Sequence, residues 1–268
     1  MDDPVIRRGV STGASQSPPY LAGGTIASVP LMIPLGDSEA ARRLSPVNTI
    51  LIASNIAIFA LELWENNALL LTCFALVPVR VSHLQWTQPD AAAAVLLTLV
   101  SSLFLHAGML HVAGNMLYLF VFGPAVEGRL GHARLLGFYL AAGIIACLTM
   151  VAMAPRSSVP VIGASGAIAG VLGGYFVLHP GGRISTVLPA SFVLRRVEIP
   201  AIFYLLIWFA LQLYSGISSG PSGPPLGGVA WWAHVGGFLF GVAAAPLIAS
   251  KPVKRRRLAT KVRSKRRL

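Results

Sequence analysis

The chain has 268 residues, of which 55% are hydrophobic and only 11% charged, with a mean hydropathy of +0.71 and a formal net charge of +12. Soluble globular domains carry roughly twice that share of charge, so a water-soluble enzyme or binding module is excluded and a polytopic membrane protein is expected. The positive charge does not point to nucleic acid: ten of the 21 Lys and Arg lie in the segment KPVKRRRLATKVRSKRRL, directly after the last apolar run. A basic cluster in that place sets topology and meets anionic lipid headgroups.

Residues 1–45 are rich in Pro, Gly and Ser without sustained periodicity and read as a flexible cytoplasmic tail. It ends at the helix-start signal Ser45-Pro46, where serine can cap and proline suits the first turn. Asp2, Asp3 and Pro4 lack the basic start of a signal peptide, so the first span is expected to direct insertion itself. The predicted fold is all-α: one domain over 46–250 with six spans at 46–64, 108–127, 135–153, 164–179, 199–216 and 230–249, each judged by the length needed to cross hydrocarbon. Residues 251–268 form a basic cytoplasmic tail.

The longest connection, 65–107, is unusually apolar (ALLLTCFALVPV at 68–79) and is expected to pack on the bundle or lie in the interface. Its piece 91–105 is short for a full span and reads as re-entrant or interfacial. GISSGPSGPPLGG (216–228) has the composition of a mobile loop that could act as a lid. With six spans, 19 of the 21 Lys and Arg fall on the side of the two termini and only Arg80 and Arg156 on the other, which predicts cytoplasmic termini. Cys73 and Cys147 have no disulfide or metal spacing and read as packing residues.

Polar side chains inside spans are costly and so become functional candidates. They are Ser165 in GASG (163–166); His106, His111 and Asn115 in HAGMLHVAGN (106–115); and His234 in HVGGFLFG (234–241). All sit near the extracytoplasmic ends of their spans. Ser165 opens a span, where free backbone N–H groups and the helix dipole favour a developing oxyanion. The alternative is a small-residue seam, since Gly166, Gly170 and Gly174 repeat at four-residue spacing.

A serine hydroxyl needs a base, and His234 is the candidate because imidazole titrates near neutrality. Gly237 and Gly241 give its helix a smooth face that can press on the seam and bring ring to hydroxyl. The alternative for His234 is a histidine hydrogen-bonded within a helix interface. His111 and Asn115, four apart, share a helix face and can donate to one point, as an oxyanion hole requires. A site in which His106, His111 and His234 hold a metal is disfavoured, because no HExxH or carboxylate accompanies them. The acidic member of a triad is missing from the spans that bear Ser165 and His234, which argues for a dyad.

Together these segments resemble the rhomboid intramembrane serine proteases. GASG is similar to the family's GxSG, HVGGFLFG to its HxxGxxxG, HAGMLHVAGN to the segment that lines its oxyanion hole, and GPAVEGRLG (123–131) to its GxxxExxxG, with Glu127 structural. The resemblance covers about Ser45 to Ser250. It implies a six-helix bundle that cleaves transmembrane segments of membrane proteins, with Ser165 as nucleophile and His234 as base. His111, Asn115 and the Ser165 N–H would form the oxyanion hole, supported by His106, Gly163, Gly166, Gly237 and Gly241. No cofactor and no metal is implied, and the expected compartment is the bacterial inner membrane.

Two positions depart from the family pattern: Leu97 and Thr98 replace a Trp-Arg pair of the first loop, and Ala169 stands where some members stack a tyrosine on the catalytic histidine. A non-catalytic rhomboid-like scaffold that binds membrane helices is the second reading. A transporter is the third, disfavoured because no internal repeat is visible.

Overall fold

The computed structural model describes residues 33–39, 45–64, 67–84, 89–190, 193–219 and 228–250. Most of the expected N-terminal tail, residues 220–227 of the expected lid and the basic tail 251–268 lie outside the described residues. Among the described residues five helices are long and apolar enough to cross a membrane. They are α1 (Pro46–Trp64), α5 (Met109–Leu130), α6 (His132–Met153), α8 (Ala201–Ser218) and α9 (Trp231–Ile248). Three shorter helices, α2 (Asn67–Phe74), α3 (Pro78–Ser82) and α4 (Pro89–Ser101), fill the first loop.

The fourth expected span is α7 (Ser165–Leu178), 14 residues and therefore about 21 Å long, less than the thickness of hydrocarbon. It is enclosed by protein along nearly its whole length. Nearly every residue from Gly166 to Leu178 is buried, and α5, α6 and α9 pack around it. A helix enclosed by protein can be short, because its neighbours rather than lipid satisfy its surroundings. Its N-terminus therefore opens inside the bundle, where Ser165 sits.

The start of α1 is capped, though not by the Ser45 side chain. Ser45 contributes its carbonyl to the Thr49 N–H and hydroxyl at 3.0 and 2.9 Å. The free first-turn N–H groups of Val47 and Asn48 instead donate to the Glu127 carboxylate, 3.1 and 2.9 Å away on α5. A negative charge at a helix N-terminus complements the macrodipole. Glu127 also meets the His132 Nδ1 at 2.5 Å, so one buried carboxylate joins α1, α5 and α6. Between α5 and α6 the chain turns on a single residue, Gly131, whose φ of +87° a larger residue adopts only with strain.

The apolar first loop packs on the bundle. Leu76 and Val161 exchange backbone hydrogen bonds at 3.2 and 2.7 Å, Val79 N–H donates to the Ser157 carbonyl at 3.0 Å, and the Ser101 hydroxyl donates to the Phe74 carbonyl at 2.8 Å. These contacts anchor the loop where the family's Trp-Arg pair is absent. Residues 91–104 are helical, α4 followed by a 3-10 turn over Ser102–Phe104, and do not reach the length of a span; Leu105 is extended.

The all-α expectation is incomplete in one respect. A three-stranded antiparallel sheet joins β1 (Ile33–Asp37) to the hairpin β2 (Arg183–Ala190) and β3 (Val193–Pro200), in the order β1-β2-β3. Ile33 pairs with Val187 and Arg183 with Pro200, with a bulge between Pro34 and Gly36. Residues 33–39 thus correct the expectation of a structureless tail: their backbone groups are satisfied by the hairpin that leaves α7 through the turn at His179–Gly182. Asp37 accepts the hydroxyl of Tyr175, on the last turns of α7. Burial of Asp37 raises its carboxyl above the ordinary value of 3.8.

Candidate active site

Two glycine-bearing surfaces set the spacing of α7 and α9. A Cβ on Gly237 would stand 2.1 Å from the Gly166 carbonyl oxygen, and one on Gly241 would stand 2.0 Å from that of Gly170. Only hydrogen fits there, so the two backbones touch. The vacant sides of Gly166 and Gly170 themselves face Ala146 and Ala142 of α6, at 2.7 and 2.4 Å from a built Cβ. Glycine packing therefore holds α7 between two helices at once.

That close approach brings together residues 69 apart in sequence. Ser165, the first residue of α7, places its Oγ 2.7 Å from Nε2 of His234, in the first turn of α9. His234 is 8% exposed. Its ring lies near two indoles, Trp208 with centroids 6.0 Å apart and Trp231 edge-on at 6.3 Å.

Gly163 precedes the serine with φ at +120°, and its N–H donates to the Ser102 carbonyl at 2.9 Å. A Cβ at this position would lie 2.8 Å from His111 Nε2 and 3.6 Å from Asn115 Nδ2. Glycine therefore lets the turn before Ser165 approach the two polar side chains of α5 closely. Both turn a nitrogen toward it. His111 Nδ1 accepts the Ala107 N–H at 3.3 Å, so the neutral ring carries its proton on Nε2, the side that faces Gly163. Asn115 Nδ2 is buried with no hydrogen-bond partner among the described residues. A buried amide left unpaired in this way is ready for an acceptor that arrives later.

His106 supports this wall and does not enter the site. Its Nδ1 donates to the Phe104 carbonyl at 3.2 Å, and its ring meets that of His111 edge-on at 5.1 Å. Glu127 lies at the opposite end of α5, sixteen residues and so about 24 Å from His111. A cavity of about 20 Å³ lies beside Ser165, lined also by Ser102, Cys147, Gly163 and Ala233, room for about one water.

Two polar residues escaped the sequence reading. Gln212, on α8, is 5% exposed and places Oε1 2.7 Å from His234 Nδ1. Glu62, on α1, is 2% exposed and receives the His106 N–H. Each is a strongly polar residue within an apolar run, the signal by which Ser165 and His234 were singled out.

Fold and site together define an integral, multi-pass membrane protein that holds a serine and a histidine in contact where α7 meets α9. Residues 93–251, more than half of the chain, match the family model of the Rhomboid domain, and the chain belongs to the rhomboid family. It is 41% identical over 80 residues to the putative rhomboid protease YdcA of Bacillus subtilis (strain 168), covering 30% of this chain and 40% of that one. It is 30% identical over 158 residues to the chloroplastic Rhomboid-like protein 11 of Arabidopsis thaliana, covering 57% and 52%. Against the mitochondrial Presenilin-associated rhomboid-like protein of Bos taurus it is 27% identical over 202 residues, covering 72% and 46%. The matches thus span about half or less of these relatives' own length.

Proposed function

We propose that this rhomboid is a serine endopeptidase that cuts transmembrane segments of membrane proteins within the bilayer. The observation that carries the proposal is the 2.7 Å contact between Ser165 Oγ and His234 Nε2 at the N-terminus of α7, opposite the donors His111 and Asn115. Ser165 Oγ attacks the scissile carbonyl carbon while its proton passes to His234 Nε2. The oxyanion is held by His111 Nε2–H, Asn115 Nδ2–H and the first-turn N–H of Ser165, which no helix carbonyl can reach. Collapse of the tetrahedral intermediate breaks the C–N bond, and the amine leaves with the proton from His234. Water, deprotonated by His234, then cleaves the acyl ester and restores Ser165.

A helix buries its carbonyls in hydrogen bonds, so the substrate segment must unwind locally, and residues of low helix propensity near the cut favour this. The topology that goes with this reading has both termini in the cytoplasm of a bacterium and the bundle, residues 46–250, in its inner membrane. It rests on the 19 of 21 basic residues that fall on one side. On the same basis the basic segment 251–268 lies against anionic lipid.

The test is cleavage of a single-span substrate in proteoliposomes by wild type, Ser165→Ala and His234→Ala. Cleavage by wild type alone is expected. Comparable cleavage by either variant would overturn the nucleophile or the base, and no cleavage of a range of substrates would favour a scaffold that binds membrane helices.

A further inference from the structure

His234 makes two polar contacts, and only one of them is with the serine. For Nε2 to accept the Ser165 proton it must be bare, so the neutral ring has to carry its hydrogen on Nδ1. That hydrogen points at Gln212 Oε1, 2.7 Å away. We propose that Gln212 is a positioning residue, the third member of a Ser165–His234–Gln212 relay, which fixes the tautomer and the ring plane of the base. The inference rests on the reading of Ser165 and His234 as nucleophile and base.

Three observations carry it. The first is burial. His234 is 8% exposed, with Trp208 and Trp231 beside its ring, and a buried N–H left unpaired costs more than the bond returns when made. The second is placement. The buried residues of α8 are Ala201, Tyr204, Leu205, Gln212 and Gly216; the Tyr204 hydroxyl is met by that of Tyr118 at 3.0 Å, and Gln212 alone among them turns a carboxamide to His234.

The third is chemical type. A triad in a water-soluble protease uses a carboxylate here, which orients the ring and also stabilises the imidazolium. An unpaired carboxylate in the middle of a span is costly, whereas a carboxamide supplies the same acceptor geometry without a charge. The dyad expected from the missing acid is therefore completed by a neutral residue.

The experiment compares wild type with Gln212→Leu and Gln212→Glu in proteoliposomes and records 15N spectra of histidine-labelled protein, with His234→Ala supplying the assignment. The expected spectrum shows wild-type His234 protonated at Nδ1, and Gln212→Leu losing that preference. The leucine variant should lose about ten- to a hundredfold in kcat with KM within about twofold, the mark of an interaction that serves the transition state. Gln212→Glu, which keeps an acceptor oxygen at the same reach, should recover most of the loss.

A wild-type ring protonated at Nε2, or an unchanged kcat in Gln212→Leu, would overturn the proposal. The spectrum decides the tautomer even if a variant folds poorly. Cleavage that survives Ser165→Ala would instead overturn the underlying dyad, an outcome that the Gln212 variants cannot produce.

Discussion

Both carboxylate oxygens of Glu62, near the end of α1, accept the backbone N–H of His106, at 3.1 and 3.2 Å. The bond holds the short link between the Ser102–Phe104 turn and α5 against the first span, directly behind His111. Glu62→Ala strands that N–H among buried side chains and should lower unfolding stability by about 1–3 kcal/mol. Cleavage should fall by about tenfold as the His111 wall loosens. Thermal unfolding in detergent and cleavage assays on the same preparation check this, and full activity together with wild-type stability would remove Glu62 from the account.

His111 Nε2 and Asn115 Nδ2 both lie against Gly163, two residues before Ser165. Each alanine variant should lower kcat by on the order of a hundredfold while leaving KM nearly unchanged. The double variant should lose less than the product of the two, since in the proposed mechanism both donors serve one oxygen. Single-turnover cleavage measures these rates, and a loss confined to KM would assign the pair to substrate binding.

The helix contacts separate tolerant glycines from intolerant ones. Gly237→Ala drives a methyl into the Gly166 carbonyl and should cost about 1–3 kcal/mol or more, with activity lost as α9 moves away from Ser165. Gly181→Ala, which meets nothing within 4 Å, should be nearly neutral. Melting temperatures of the two variants side by side decide it, and equal effects would mean that α7 and α9 do not approach as described.

The sheet introduces a dependence on pH. The carboxyl of Asp37 is raised by burial, so the folded protein binds its proton more tightly than the unfolded chain does. Its contribution to stability is therefore fully present below the ordinary value of 3.8 and is lost as pH rises through the higher value in the fold. Asp37→Asn, which keeps an acceptor for Tyr175, should flatten this part of the pH profile and be at least as stable as wild type at neutral pH. Unfolding measured from pH 4 to 7 tests the sign, and a profile unchanged by the substitution would assign the dependence to other groups.

Composition and the lengths of apolar runs determine the membrane bundle by themselves, because hydrocarbon demands a minimum span and penalises every polar side chain inside it. The first span is read to the residue, Pro46–Trp64. Ser165, His234, His111 and Asn115 stand out for the same reason, as costly residues in apolar surroundings. Gln212 and Glu62 carried that signal too, yet nothing local says which polar residues on different helices meet. That is settled by how α8 and α1 are rotated and how deeply they lie.

Tertiary structure alone decided that α7 is shorter than a lipid-exposed span needs to be and opens inside the bundle, because the helices that enclose it take the place of lipid. It alone paired Glu127 with the first turn of α1, some eighty residues away. It also drew residues 33–37 into a sheet with 183–200, where each strand by itself leaves its backbone groups unpaired and only their pairing satisfies them.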